Sequence, residues 1–292
     1  MLKKRKRSRY TAMDYFAFTV LTLWGICIFY PFYNALLVSL VPQTVYARSP
    51  FMLFPSEATL DSYRYILQGN RVFVGYRSTL TILLFGLPYN MILTTLTAYG
   101  LSKKQFPGKR FFVLFFYFTM FFSGGLVPLY LTMKNLRLTN TLWSVILLMG
   151  CDTFYMILAR TYFESLPESL IESARLDGCG ELRVLVQIVL PLSAPIMATI
   201  LLFYSVARWN EWFYAMLFIK DGDKTPLQVV LRNIVFQENA PQASAASVNR
   251  NSAFNDGLKM AAIVLTMAPI MVFYPFVQKY FVKGMLIGAV KS

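Results

Sequence analysis

Six apolar runs alternate with polar segments along the chain: residues 14–41, 78–101, 111–133, 142–163, 192–219 and 258–282. Each reaches the roughly 20 residues that a helix needs to cross the hydrocarbon of a bilayer. The fourth run is interrupted by Asp152, and the second and sixth contain Pro88, Pro269 and Pro275. Such breaks are tolerated in membranes where neighbouring helices satisfy the freed backbone groups. The pattern therefore predicts an all-α membrane protein, a bundle of six transmembrane helices. Two segments between runs are long, about 42–77 and 220–256, and the second contains the polar, small-residue stretch 238–252, which reads as a flexible loop. Residues 164–191 form one substantial loop on the opposite side. No internal repeat of fixed period is present.

Composition strengthens this picture. The chain is 57% hydrophobic and 14% charged, with a mean hydropathy of +0.51; soluble domains carry about a quarter charged residues. Lipid is the natural solvent for most of the chain, and a single integrated membrane domain follows. The net charge of +14 comes from basic residues at helix ends and in loops. Anionic lipid headgroups account for that placement better than nucleic acid does. With the N-terminus inside, sixteen of the 28 Lys and Arg residues fall on the cytoplasmic side and eleven outside, with Arg208 left within a span. The basic clusters abut helix ends, where the bias counts most. Both termini are expected in the cytoplasm. This divides the chain into a basic N-terminus (1–13), a transmembrane domain (14–283) and a tail (284–292). The basic start followed by an apolar run resembles a signal peptide. That run is too long and lacks a clear small-residue cleavage site, so it reads as a retained first helix.

Little catalytic chemistry is available. There is no histidine, the commonest general base and metal ligand. The three cysteines, Cys27, Cys151 and Cys179, argue against a disulfide framework or a metal site. Gly108-Lys109 lacks the upstream Gly and the Ser/Thr of a phosphate-binding loop. No nucleophile elbow or H-E-x-x-H pattern occurs. The chain reads as no enzyme, with no cofactor of its own.

The inner loop carries the most specific pattern. Ser165 and Glu168 have the spacing of a capping box, with Pro167 in the first turn. Leu166, Leu170 and Ala174 recur at helical spacing, with Ile171 beside them. Asp177-Gly178 suits a helix end, because Gly accepts a left-handed cap. A second short helix is expected to Leu190, stopped by Pro191. Two short helices bent at a glycine would present an apolar ridge of Leu170, Ile171 and Ala174 to a partner's groove.

Here the sequence resembles the membrane subunits of ABC importers. Their signature is E-A-A, three residues, G, nine residues, I, one residue, L-P. Glu172, Ala174, Gly178, Ile188, Leu190 and Pro191 stand at those spacings, with Ser173 in place of the middle Ala. The resemblance covers nearly the whole chain and is nearest to the second permease of the sugar-importer branch. Phe122-Ser-Gly-Gly-Leu-Val-Pro-Leu-Tyr130, Trp209-Asn-Glu-Trp212 and residues 274–291 also match. It looks most like the subgroup that serves lipoprotein-dependent oligosaccharide uptake. The resemblance implies a permease in the bacterial cytoplasmic membrane, of the type I importer fold, paired with a related second permease. It also implies two ATPase subunits that use ATP and Mg, an extracellular substrate-binding lipoprotein, and ATPase coupling through the loop around Glu172, Asp177 and Gly178.

Charges within spans are functional candidates. Asp152, roughly halfway through the fourth run, could accept hydrogen bonds from sugar hydroxyls or tie to a neighbour such as Arg208. Trp209, Asn210, Glu211 and Trp212 lie near the outer end of the fifth run. Indole faces stack on sugar rings, and amides and carboxylates bond their hydroxyls; an aromatic belt predicts the same Trp positions. Arg208 and Glu211 are spaced to pair. Asn90 and the Ser123-Gly124-Gly125 step are mid-span, the glycines suited to close helix packing. A stand-alone secondary transporter or channel, or an importer of a non-sugar solute, stays open as an alternative. A secondary transporter would have no use for the loop.

Overall fold

The structure is a computed structural model that describes residues 11–48, 52–55, 57–236 and 256–272, all helix or connection. The chain divides into two compact units, the first Met1–Gln68 with Glu238–Leu265 and the second Gly69–Gln237 with Thr266–Ser292.

In the first unit, α1 (Ala12–Ser39) is apolar on every side and buries none of its most apolar stretch, as a lipid-facing helix should. Asp14 fixes its start by accepting from the Thr11 amide (2.7 Å) and hydroxyl (2.8 Å). At its other end Ser39 and Tyr63 share a hydrogen bond of 2.7 Å, which joins α1 to α3 (Asp61–Gln68) beyond the short α2 (Gln43–Arg48).

The second unit is organised around α4 (Arg71–Ser102), which begins well before the apolar run that predicts it. Against α4 pack α7 (Leu142–Leu148), α8 (Thr153–Glu164), α11 (Ala194–Trp209) and α13 (Leu227–Phe236). Much of its buried face is small or polar, with Ser78, Thr79, Gly86, Asn90, Thr94, Thr95 and Ala98 set among Val72, Ile82, Tyr99 and Leu101. Small residues let helices approach closely where no hydrophobic effect drives them together, and polar ones supply the hydrogen bonds. Thr79 accepts from the Leu227 amide at 3.0 Å, and Thr94 shares a 2.7 Å bond with Tyr204.

Between these lie α5 (Lys109–Phe121), α6 (Leu126–Asn135), α9 (Glu168–Leu176), α10 (Glu181–Leu192) and α12 (Phe213–Phe218). Three predicted spans are thereby broken. The third splits into α5 and α6, bent by 110° at 122–125. Gly125 has a positive φ there, and among the described residues nothing lies within 4 Å of where a Gly124 Cβ would sit, so the expected close packing does not occur among them. The fourth breaks before Asp152, as the sequence suggests, with α7 and α8 at 45°. The fifth is not continuous either: α11 ends at Trp209 and α12 begins at Phe213. Of the sixth, residues 258–272 are described and helical; the remainder lies outside the described residues. Two described helices are long and apolar enough to cross a membrane, or five segments if each bent pair counts once.

The break between α7 and α8 leaves the last carbonyls of α7 without helical partners. Arg208, 2% exposed, donates to Val145 O (2.7 Å), Ile146 O (2.8 Å) and Met149 O (3.1 Å), and its Nε to Asn90 Oδ1 (3.0 Å). Asn90 is fully buried and gives its amide to Met149 O and, at 2.8 Å, to Gly150 O. Gly86 makes room for the guanidinium: a Cβ would stand 3.1 Å from Arg208 Nε. Arg208 thus pairs with neither Asp152 nor Glu211; its charge is met by carbonyl dipoles.

Arg208→Met should orphan the Val145 and Ile146 carbonyls, at about 1–3 kcal/mol each. The purified protein in detergent should melt at a clearly lower temperature. Arg208→Lys should recover only part of the loss, because an ammonium is a single point donor without the guanidinium fork.

Candidate functional site

The loop from α8 to α11 contains two helices. α8 ends at Ser165, whose hydroxyl donates to Tyr162 O at 2.7 Å. Ser165 therefore caps the end of α8 and does not open α9. The predicted capping box does not form, because Glu168 is drawn away by Lys104 and α9 starts from Pro167 without a side-chain cap. The end of α9 is as predicted. Gly178 adopts φ +82°, its amide reaches Arg175 O (3.0 Å), and the Cys179 amide reaches Ala174 O (2.9 Å). This double bond pattern around a left-handed residue is the Schellman motif. α10 then runs past Leu190 to Leu192 instead of stopping at Pro191. It widens to a π-turn at Leu185–Val189, just before Pro191, whose ring would strike the carbonyl four residues back in a regular helix. α10 meets α11 at 86°, so it lies across the span and outside it.

The faces of α9 are distributed differently from the expected ridge. Ala174 is 7% exposed and sits in the chain's own core with Val184, Leu185 and Phe163, while Ile171 packs half-buried against the same cluster. They lie three residues apart on the inner face. Leu170, Glu172, Ser173, Leu176, Asp177 and Gly178 are exposed, Leu176 most of all at 89%. Ile188 is half-buried against that cluster, and Pro191 is exposed. The outward apolar pair is thus Leu170 with Leu176.

Basic residues that follow α4 meet this loop and pair with its acids. Glu181 is bonded by Lys103 (2.7 Å), by the Tyr99 hydroxyl (2.7 Å) and by Arg175 (2.7 Å). Lys104 pairs with Glu168, and Glu164 with both Lys109 (2.8 Å) and Arg160 (3.0 Å). A polar cleft of about 360 Å³ lies between the end of α4 and α9. Burial pushes the Glu181 carboxyl up, but bonds from Lys103, Tyr99 and Arg175 outweigh it and bring it to about 2. What the ionised group contributes is therefore fully present above the ordinary carboxylate range and is lost as pH falls through that range towards about 2. The pairs made by Lys103, Lys104 and Lys109 were not evident from sequence, since each joins residues more than 50 apart in the chain.

The span residues separate. Asp152 N-caps α8, its Oδ1 accepting from Phe154 N (2.9 Å) and Tyr155 N (3.2 Å); Tyr204 holds the Asp152 amide at 2.9 Å. Glu211 Oε1 accepts from Tyr214 N at 2.7 Å at the start of α12. Both carboxylates thus serve helix starts created by breaks, and each uses one oxygen. Trp209 is buried, beside Tyr76 with ring centres 6.5 Å apart, and is not open as a stacking platform. Its indole N–H has no partner among the described residues. Asn210 is exposed and accepts weakly from Gln228 (3.4 Å). Trp212 is half-buried, and the Arg232 guanidinium lies 4.1 Å from its ring centre. The charge of Arg232 alone gave no sign of this stacking. Among the described residues no cluster of three or more His, Cys, Asp or Glu could hold a metal.

The family of binding-protein-dependent transport system inner membrane components matches residues 78–287. This chain belongs to that family. The polygalacturonan/rhamnogalacturonan transport system permease protein YtcP of Bacillus subtilis is 36% identical over 280 residues, 96% of this chain and 98% of that protein. The arabinooligosaccharides transport system permease protein AraQ of Halalkalibacterium halodurans is 27% identical over 268 residues, 90% of this chain and 91% of that one. A crystal structure of a bacterial ABC transporter involved in the import of the acidic polysaccharide alginate contains a chain of the same fold. It matches with a TM-score of 0.86 and 31% identity, covering 94% of this chain and 99% of that one. The chain is thus a multi-pass permease of the inner membrane, with an all-helical importer fold, within a binding-protein-dependent ABC transporter. It is the membrane component; ATP hydrolysis belongs to a partner subunit.

Asp152→Asn keeps an acceptor at the start of α8 and should melt like the wild type, whereas Asp152→Ala should lose about 1 kcal/mol of cap. Gly178→Val forces a β-branched residue into the left-handed region at about 1–3 kcal/mol. Limited proteolysis of that variant should cut the loop faster, with Gly178→Asn intermediate.

Proposed function

We propose that this permease carries sugars or oligosaccharides inward as half of a heterodimer with a related second permease. Two ATPase subunits sit beneath the pair, and an extracellular binding lipoprotein delivers substrate above it. In this reading the chain crosses the membrane six times with both termini cytoplasmic. Residues 1–13 and 284–292 are cytoplasmic ends of a transmembrane domain, 14–283, that carries the coupling loop 164–191. Substrate class is supported by relatives whose names specify polygalacturonan, rhamnogalacturonan and arabinooligosaccharides.

The observation that carries the reading is the α9–Gly178–α10 turn, rigidly closed on its inner face and open on its outer one. Leu170, Glu172, Ser173, Leu176, Asp177 and Gly178 form the surface offered to the ATPase. Ile171, Ala174 and Ile188 hold that surface on the spans, and Pro191 turns the chain into α11. Such a loop transmits energy if the ATPase has different affinity for it in the inward- and outward-facing states. Along the path we place Asp152, Asn210, Glu211 and Trp212, with Trp209 as packing behind them. The second oxygens of Asp152 and Glu211 have no partner among the described residues and can accept sugar hydroxyls while the first ones cap.

Burying a Leu side chain is worth about 1.5–3 kcal/mol, and each 1.4 kcal/mol is about tenfold in affinity. Leu170→Asp and Leu176→Asp should therefore each weaken co-purification of the ATPase about tenfold or more without preventing insertion. Wild-type recovery of the ATPase with both variants would remove the loop from the interface. Asp152→Asn and Glu211→Gln should lower uptake while the complex still assembles; unchanged uptake would leave them as caps alone. Reporter fusions after Lys104 and Lys291 should both score cytoplasmic, and one within residues 243–251 external.

A further inference from the structure

Glu181 joins three elements that chain order keeps apart. It opens α10, Arg175 lies in the last turn of α9, Tyr99 in the last turn of α4, and Lys103 directly after α4. Its Oε1 accepts from Arg175 Nε at 2.9 Å, and its Oε2 accepts from both Lys103 and Tyr99 at 2.7 Å. Lys103 also donates to the Tyr99 hydroxyl at 2.5 Å and lies 3.9 Å from that ring's centre. Arg175 with Glu181 alone would only brace the two arms of the turn at Gly178. Lys103 and Tyr99 extend the brace to α4.

The cluster is poorly placed to contribute stability. The Glu181 side chain is 54% exposed and that of Arg175 43%, and ion pairs so open to water contribute little. It is well placed to set geometry. Three donors converge on one carboxylate from two helices, so α9 cannot shift along or away from α4 without breaking charge-assisted bonds. α4 in turn carries Asn90, which grips the carbonyls at the α7–α8 break beside Asp152.

We propose that Glu181 is a positioning residue for energy coupling: it ties α9 to the end of α4, so that displacement of α9 by the ATPase moves α4 with it. The proposal rests on α9 being the ATPase contact. A mechanical route needs a demonstrated coupled movement, and the test is built to read one.

Spin labels are placed on Ser169 of α9 and Leu96 of α4, both exposed, in the full complex in nanodiscs. The probe is MgATP with vanadate, which closes the ATPase pair without requiring a known sugar. In the wild type the label separation should stay unchanged on closure. In Glu181→Gln it should shift by more than the wild-type width, while the ATPase co-purifies undiminished. Lys103→Met should give a smaller shift in the same direction, because the Tyr99 bond remains, and the double variant should add nothing to Glu181→Gln, in which the Lys103–Glu181 ion pair is already lost. A fixed separation in Glu181→Gln, or shifts that add in the double variant, would overturn the proposal. So would loss of the ATPase from Glu181→Gln, which would make the residue part of docking. The Leu170 and Leu176 variants report separately on whether α9 is the contact at all.

Discussion

Hydrocarbon offers no hydrogen bonds, so every carbonyl that a broken span frees must find a donor within protein. In this permease that requirement falls on the break between α7 and α8, and it is met by Arg208 together with Asn90. The rest of the second unit follows from it. Gly86 leaves the guanidinium its room, since a Cβ there would press on Arg208 Nε at 3.1 Å. α11 must lie against α4 for Arg208 to arrive, and the Tyr204–Thr94 bond, one turn along, keeps it there. A charge that membranes ordinarily exclude is retained because it answers several carbonyls from one planar group.

What was legible in the sequence was local. Gly178 and its neighbours specify the Schellman turn through residues a few positions apart, and the structure forms it. The break before Asp152 was legible too, because a carboxylate within an apolar run has few other uses than a cap or a ligand. The 110° bend at 122–125 falls on the Ser123-Gly124-Gly125 step, and its spacing did not decide the matter, since paired glycines suit close helix packing and a backbone break alike. Ser165 and Glu168 fit a capping box by spacing, and Lys104, some 60 residues earlier, decides otherwise. Periodicity places Leu170, Ile171 and Ala174 near one face of α9 without giving the direction of that face. The chain's own core claims that face and turns Leu176 outward.

The loop, α11, α13 and the α7–α8 break all bond to α4. Its N-terminal half accepts α13 through Thr79, its middle holds the α7–α8 break through Asn90, and its C-terminal end meets the loop acids through Tyr99 and Lys103. Basic residues that orient a membrane protein by their charge here also take specific partners.

The Arg208 bonds also order events during synthesis. α1 satisfies its own backbone and buries almost nothing along its apolar length, so it can leave the translocon for lipid while later segments are still on the ribosome. α7 cannot do so in finished form. Its Val145 carbonyl waits for a donor 63 residues downstream, several seconds later at about 5–20 residues per second. During that interval the segment around Gly150 needs water or an insertase as a temporary partner. The lateral release of α7 and α8 is thereby tied to the emergence of α11.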